Sequence, residues 1–161
     1  MKRVLIVDDA IDLGRLFQDA LKTAHPGMPI TVVPSAEEAL LESFRLTIDL
    51  LVTDLRLPGM SGIELVRKIR VRQPQVKVLM ITGITLDARA QKQLEEIHVD
   101  FFRRKPLGIG EFLDISDELL GFKAAPQPEV VKAVSEPAPT VTLSRDDELR
   151  QALEAVLPGE P

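Results

Sequence analysis

Apolar residues gather in short runs at 4–7, 30–33, 50–52 and 78–81, with a weaker fifth at 99–102. Three of the runs are continuous and branched rather than alternating with polar residues. That pattern predicts strands buried on both faces of a parallel sheet. Between the runs the apolar spacing changes to three and four, the period of a helix. Residues 11–24 carry Leu13, Leu16, Phe17, Ala20 and Leu21 on this spacing. Ser35, with Glu38 three residues later, predicts a capping box ahead of Ala39, Leu40 and Phe44. Ile63, Val66 and Ile69 mark a helix over 62–71 that stops before Pro74, and 86–97 and 109–120 complete the set.

Five βα units in succession predict an α/β fold, a doubly wound parallel sheet with helices on both faces and right-handed crossovers. In such sheets ligands bind at the carboxyl ends of the strands, beside the point where strand order reverses. The polar residues agree with that rule. Asp8 and Asp9 end the first run, Asp54 follows the third, Thr82 the fourth and Lys105 the fifth. All are expected on one edge of the sheet, although the first and last are far apart in the chain.

Carboxylates gathered at one edge repel each other, and a cation would compensate them. The candidate ligands are all oxygen, which implies a hard ion, and Mg²⁺ fits best because it takes few carboxylates, keeps waters and favours phosphate. Lys105, followed by Pro106, supplies an ammonium, and Thr82, followed by Gly83, supplies a hydroxyl. A carboxylate with a metal, an ammonium and a hydroxyl around it is equipped to accept a phosphoryl group, and Asp54 can be that nucleophile. Catalysis would then rest on positioning and charge neutralisation.

The segments Val7-Asp8-Asp9, Thr53-Asp54-Leu55-Arg56-Leu57-Pro58-Gly59-Met60-Ser61-Gly62, Ile81-Thr82-Gly83 and Lys105-Pro106 together resemble the response-regulator receiver domain of two-component signalling. The resemblance covers residues 2–121 and includes element order as well as motifs. It implies a flavodoxin-like sheet of order 2-1-3-4-5 and a receiver domain over 1–122. Asp54 would be the phosphoacceptor, charged by a histidine kinase or phosphotransfer protein. Asp9 and Asp54 would hold Mg²⁺, with Asp8 acting through water and the Arg56 carbonyl completing the shell. Thr82 would move toward the phosphoryl oxygens and Lys105 would pair with them, its bond to Pro106 being cis. Phe102, three residues before Lys105, falls at the aromatic switch position, where the family often has tyrosine. Arg56 and Ile84 occupy two variable positions beside the acceptor, and a long Arg56 over the phosphate is expected to slow its hydrolysis. His98 stands where the family often has glycine. The resemblance implies a phosphoacceptor signalling domain rather than an enzyme, with at most self-catalysed phosphoryl transfer and dephosphorylation.

Composition narrows the choice. The 161 residues suffice for one domain and a tail, and there is no cysteine. That excludes disulfides, thiolate metal sites and cysteine nucleophiles, and it suits a cytoplasmic protein. Asp8 and Asp9 interrupt the first apolar run too early for a signal peptide, and no run approaches the length of a membrane span. The formal net charge is −5, with 16 basic and 18 acidic residues in 1–122. Direct nucleic-acid binding is therefore not expected. Arg67, Lys68, Arg70 and Arg72 suit a solvated helix face, Arg103 and Arg104 a partner surface, and His25 and His98 the general surface.

Residues 123–143, with Pro126, Pro128, Pro137 and Pro139, suit a semi-extended linker. Ser144 then opens a short amphipathic helix over 144–158, with Asp146, Asp147 and Glu148 in its first turn and Leu149, Ala152, Leu153, Val156 and Leu157 in one stripe. A helix so short is marginal alone, so its stripe needs a surface: its own receiver, a second copy or a separate partner. Output is expected through protein–protein contact, by the face of the fourth helix, fifth strand and fifth helix or by the tail. The chain would be a monomer or a phosphorylation-dependent dimer. Two other functions compete. A degenerate receiver could bind a partner constitutively, but it has no need to stack repelling acids. A haloacid-dehalogenase-type phosphohydrolase resembles a D-x-D pattern, and here Arg56 stands in place of the second acid. No glycine-rich phosphate loop follows the first run, against a nucleotide-binding domain.

Overall fold

The computed structural model describes residues 1–123; the rest of the expected linker and the expected tail helix over 144–158 lie outside them. Strands and helices alternate as β1 (Val4–Val7), α1 (Ile11–Ala24), β2 (Ile30–Val33), α2 (Ala36–Arg45), β3 (Leu50–Asp54), α3 (Gly62–Arg72), β4 (Lys77–Thr82), α4 (Ala88–Glu96), β5 (Phe101–Arg104) and α5 (Ile109–Leu120). They form one five-stranded sheet in the order β2-β1-β3-β4-β5, and every pair is parallel.

Successive strand residues point to opposite faces, and the core divides accordingly. Val4, Ile6, Leu50, Val52, Leu79 and Ile81 pack with Phe17 and Leu21 of α1 and with Phe112 and Ile115 of α5. Leu5, Val7, Leu51, Val78 and Met80 pack with residues of α2, α3 and α4, among them Ala39, Val66, Ile69 and Leu94. Both faces are covered, which is why β1 and β3 read as unbroken apolar runs. Phe17 and Phe112 stack with ring centroids 4.1 Å apart and so join α1 to α5.

Side-chain caps set several helix starts. Ser35 accepts the Glu38 N–H at 3.3 Å, as its spacing predicts. Ser61 accepts the Glu64 N–H at 3.2 Å, and Asp87 accepts the Ala90 N–H at 2.7 Å. That last cap places the start of α4 at Ala88 rather than at 86.

The structure departs from the apolar pattern in other places. β5 spans Phe101–Arg104, not 99–102. His98 takes a positive φ of 51°, the left-handed conformation open to glycine and tolerated by histidine. Asp100 then accepts the Val78 N–H at 2.8 Å, and pairing with β4 begins only at Phe101. Leu16 and Phe44, expected on buried helix faces, are about half exposed. Arg72 lies over the Phe44 ring, 4.4 Å from its centroid. Arg70 is not part of a solvated basic face: its guanidinium donates to the carbonyls of Ile97 and His98 and reaches Asp100 at 3.3 Å. His25 is half-buried, bonded to Asp117 at 2.6 Å and packed against Phe122.

Gly62 opens α3 directly beneath β3. Its N–H donates to the Leu55 carbonyl at 2.9 Å, and a Cβ at this position would overlap the Asp54 carbonyl oxygen and lie 3.1 Å from Leu55 Cα. Those are backbone atoms of a buried strand end and cannot turn aside. Gly62→Ala should therefore cost about 2 kcal/mol or more of stability, seen as a lower urea midpoint by circular dichroism. Gly110→Ala, which meets nothing within 4 Å, is the control and should leave the midpoint nearly unchanged.

Candidate functional site

Burial of the strands dictates where the site forms. β1 and β3 are neighbours, so their carboxyl ends bring Asp8 and Asp54 together, both with less than a tenth of their surface exposed. Asp9, the next residue after Asp8, is exposed. Carboxylate oxygens of Asp8, Asp9 and Asp54 all lie within 4.8 Å of one another, a donor set able to hold a cation. The oxygen-only chemistry fits Mg²⁺. Local backbone bonds orient two of the carboxylates. Asp8 Oδ1 accepts the Ala10 N–H at 2.9 Å, and Asp54 Oδ1 accepts the Arg56 N–H at 3.0 Å.

Lys105 arrives from the end of β5, across the width of β4. Its Nζ donates to Asp54 Oδ2 at 2.7 Å and to Asp8 Oδ2 at 2.9 Å. Its backbone N–H donates to the Thr82 carbonyl at 2.8 Å, and the Lys105–Pro106 peptide is cis. Thr82 ends β4 and is fully buried, its Oγ1 accepting the Ile84 N–H at 3.4 Å. Phe102 is buried in the core cluster shared by α2, α3 and α4. Arg56 is exposed at the start of the β3–α3 loop. Asp8, Asp9, Asp54 and Lys105 thus meet at one point, Thr82 and Arg56 adjoin it through the backbone, and Phe102 lies one strand away, inside the core.

The electrostatics follow from burial and pairing. Burial pushes the Asp8 carboxyl above its ordinary value; the hydrogen bonds from Lys105 and Ala10 lower it without cancelling that rise, and Asp54 adds to it. Burial works to lower the Lys105 ammonium, but the hydrogen bonds and charges of Asp54 and Asp8 outweigh it and hold the group above the ordinary lysine value. Asp8 thus binds its proton more tightly in the folded state than in the unfolded one. Its contribution to stability grows as pH falls through the raised value and is smallest above it. Lys105 has the opposite window: its contribution is complete below the ordinary lysine value of 10.5 and is lost as pH rises past the raised one.

Some residues around the site have roles that the sequence did not reveal. Gly62, part of the loop motif, proves to matter for its clearance beneath Asp54. Glu37, on α2, accepts the Met60 N–H of the β3–α3 loop at 3.0 Å, a contact between distant segments that no spacing rule anticipates. Arg103, a candidate for a partner surface, bonds Glu111 at 2.9 Å, and Arg104 donates to Thr85 at 3.4 Å. Among the described residues no helix is long and apolar enough to cross a membrane.

Comparison with known proteins agrees with this geometry. The family model described as the response regulator receiver domain matches residues 4–116. A response regulator receiver protein of Anaeromyxobacter sp. strain Fw109-5 is 30% identical over 71% of this chain and 47% of its own length. The two-component response regulator PhoP of Pseudomonas aeruginosa is 35% identical over 52% of this chain and 36% of its own length. The chain spans less than half the length of either relative. Among solved structures, a CheY-like receiver domain protein from Methanospirillum hungatei JF-1 aligns with a TM-score of 0.70 at 26% identity, covering 76% of this chain and 95% of that one. The chemotaxis response regulator CheY4 of Vibrio cholerae aligns with a TM-score of 0.65 at 25% identity, covering 74% and 99%.

The raised Asp8 carboxyl yields a two-part test. Asp8→Asn keeps an acceptor for Ala10 and removes a charge that burial disfavours, at the expense of the charged bond to Lys105, so in metal-free buffer at neutral pH it should be no less stable than wild type. It should also lose most of the stabilisation that Mg²⁺ gives wild type. Urea melts with and without Mg²⁺ check both parts.

Proposed function

The chain belongs to the response regulator receiver family, and on that premise we propose that it is a phosphorylation-gated switch whose phosphoacceptor is Asp54. The observation that carries this is the single ammonium of Lys105 held between Asp54 and Asp8 beside a third carboxylate, at 2.7 and 2.9 Å. A binding scaffold gains nothing from so costly a cluster, whereas phosphoryl transfer needs one.

In the transfer, a carboxylate oxygen of Asp54 forms the bond to phosphorus as the bond from phosphorus to the donor's histidine nitrogen breaks. That imidazole keeps the electron pair and takes a proton from water. Asp9 and Asp54 would hold Mg²⁺ directly, Asp8 through water, with the Arg56 carbonyl as a further oxygen; the ion would neutralise charge on the transferring group. Lys105 exchanges its carboxylate partners for a phosphoryl oxygen. The Thr82 hydroxyl, freed from the Ile84 N–H, is the neutral donor for another. Phosphorylation then biases a two-state equilibrium in which Thr82 and Phe102 move together.

The donor is a histidine kinase or phosphotransfer protein. Output passes by protein contact through the α4–β5–α5 face or the tail, without direct nucleic-acid binding or membrane insertion, in the cytoplasm. The protein acts as a monomer or as a phosphorylation-dependent dimer. Beyond self-catalysed transfer and dephosphorylation, no catalytic activity is proposed for it.

Intact mass after incubation with a small acyl phosphate should show a Mg²⁺-dependent gain of one phosphoryl group in wild type and none in Asp54→Ala. No gain in folded wild type would shift the function to constitutive binding. Arg56 stands exposed two residues after the acceptor, its backbone N–H bonded to the Asp54 carboxylate. Arg56→Ala is therefore expected to lose the phosphoryl group several-fold faster than wild type, followed by the decay of the phosphorylated mass; slower decay in the variant would remove that role for Arg56.

A further inference from the structure

We propose that Glu37 is a positioning residue for this site: reaching from α2, its carboxylate holds the Met60 N–H and so sets the loop that carries the Arg56 carbonyl. The proposal rests on the assignment of Asp54 as phosphoacceptor but concerns a residue outside the acid, threonine and lysine set.

The loop over 55–61 is closed at its neck. Asp54 Oδ1 accepts the Arg56 N–H at 3.0 Å, and the Gly62 N–H returns to the Leu55 carbonyl at 2.9 Å. Inside these bonds Leu57 is buried and Met60 packs against the core, while Arg56, Pro58 and Gly59 are exposed. The far side of the loop needs another anchor, and Glu37 supplies it, with Oε1 3.0 Å from the Met60 nitrogen. Gly59 is shaped for the same contact. Its φ of 76° is in the left-handed region, and a Cβ there would fall 2.7 Å from Glu37 Oε1. Conformation and clearance at two consecutive loop residues thus serve one carboxylate. The Met60 hydrogen bond, followed by that of Glu37's own backbone N–H and a smaller pull from the Lys68 charge, holds the Glu37 carboxyl below its ordinary range. One side chain therefore ties α2 to the loop.

A backbone carbonyl serves as a cation ligand only while its peptide plane is held in place, and outer contacts of this kind commonly tune metal affinity. Releasing the loop at Met60 frees the peptides between the two neck bonds, including that of Arg56. The Asp54 carboxylate, fixed by Arg56 N–H and Lys105, would stay where it is. Metal affinity should then fall while the intrinsic capacity for phosphoryl transfer survives.

The test compares full-length wild type, Glu37→Ala and Glu37→Gln. Mg²⁺ binding is measured by calorimetry, and phosphoryl gain from a small acyl phosphate is followed across Mg²⁺ concentrations. Glu37→Ala should bind Mg²⁺ roughly tenfold more weakly, at the low end of outer-contact effects. It should need correspondingly more Mg²⁺ for half-maximal rate, with the rate at saturating Mg²⁺ unchanged. Glu37→Gln keeps an oxygen acceptor for Met60 and should recover most of the affinity. Wild-type Mg²⁺ affinity in Glu37→Ala would overturn the proposal. So would equal losses in both variants, which would mark a long-range charge effect instead. If wild type takes no phosphoryl group, the Asp54 assignment falls, while calorimetry on the three proteins still decides Glu37.

Discussion

The carboxylates of Asp8 and Asp54, both nearly buried, share one ammonium, with Lys105 Nζ 2.9 and 2.7 Å from their oxygens. Two buried carboxylates at adjacent strand ends repel each other and weaken the fold unless a cation offsets them. Lys105 bonds both, yet burial first, with the neighbouring Asp54 charge adding to it, still holds the Asp8 carboxyl above its ordinary value. The metal-free site is therefore a place where added positive charge is favourable. The proposed switch uses that property: a phosphoacceptor there would draw a metal ion and still be a free nucleophile toward a phosphodonor.

Such a cluster requires a support that does not give way under its repulsion. β1 and β3 lie in the middle of the sheet, buried on both faces, with α1 and α5 on one side and α2, α3 and α4 on the other. The acids occupy the rigid centre. The residues proposed to move stand nearer the edge, Thr82 at the end of β4 and Phe102 on β5. Arg70 binds the carbonyls that end α4 and the Asp100 carboxylate before β5. It thereby secures the far ends of α4 and β5, leaving the ends near Thr82 as the natural place for change. The arrangement joins a fixed charge site to an adjustable edge within one sheet.

Much of the fold and most of the candidate site could be read from the sequence, because both depend on periodic or end-of-strand features. The switch between branched apolar runs and three-four spacing anticipated the order of the strands and helices, and the polar residues one to three positions past four of the runs pointed to Asp8, Asp54, Thr82 and Lys105 as candidates. Errors arose where an element's limits depend on a partner. β5 is an edge strand carrying Arg103 and Arg104, so its apolar residues mark its beginning poorly, and Asp100 and His98 shift it by two positions. Leu16 and Phe44 had the spacing of core residues but face outward, Phe44 beneath Arg72. Arg70 and His25 looked like surface charges because their partners, at 97–100 and 117, are remote in the chain.

Local patterning along the chain is enough for the alternating architecture, the edge of the sheet on which polar residues gather, and the residue types available there. Those follow from local backbone preferences and from the rule that apolar runs are buried, both of which act within a few neighbouring residues. Tertiary structure alone decided that Lys105 bridges two acids rather than facing solvent, that Gly62 is needed for clearance beneath the Asp54 carbonyl, and that Glu37 grips the loop at Met60. Each is a contact between segments whose separation along the chain carries no information about their distance. It exists only once the sheet has paired and the helices have docked, because hydrogen bonds and steric exclusion act over a few ångströms of space.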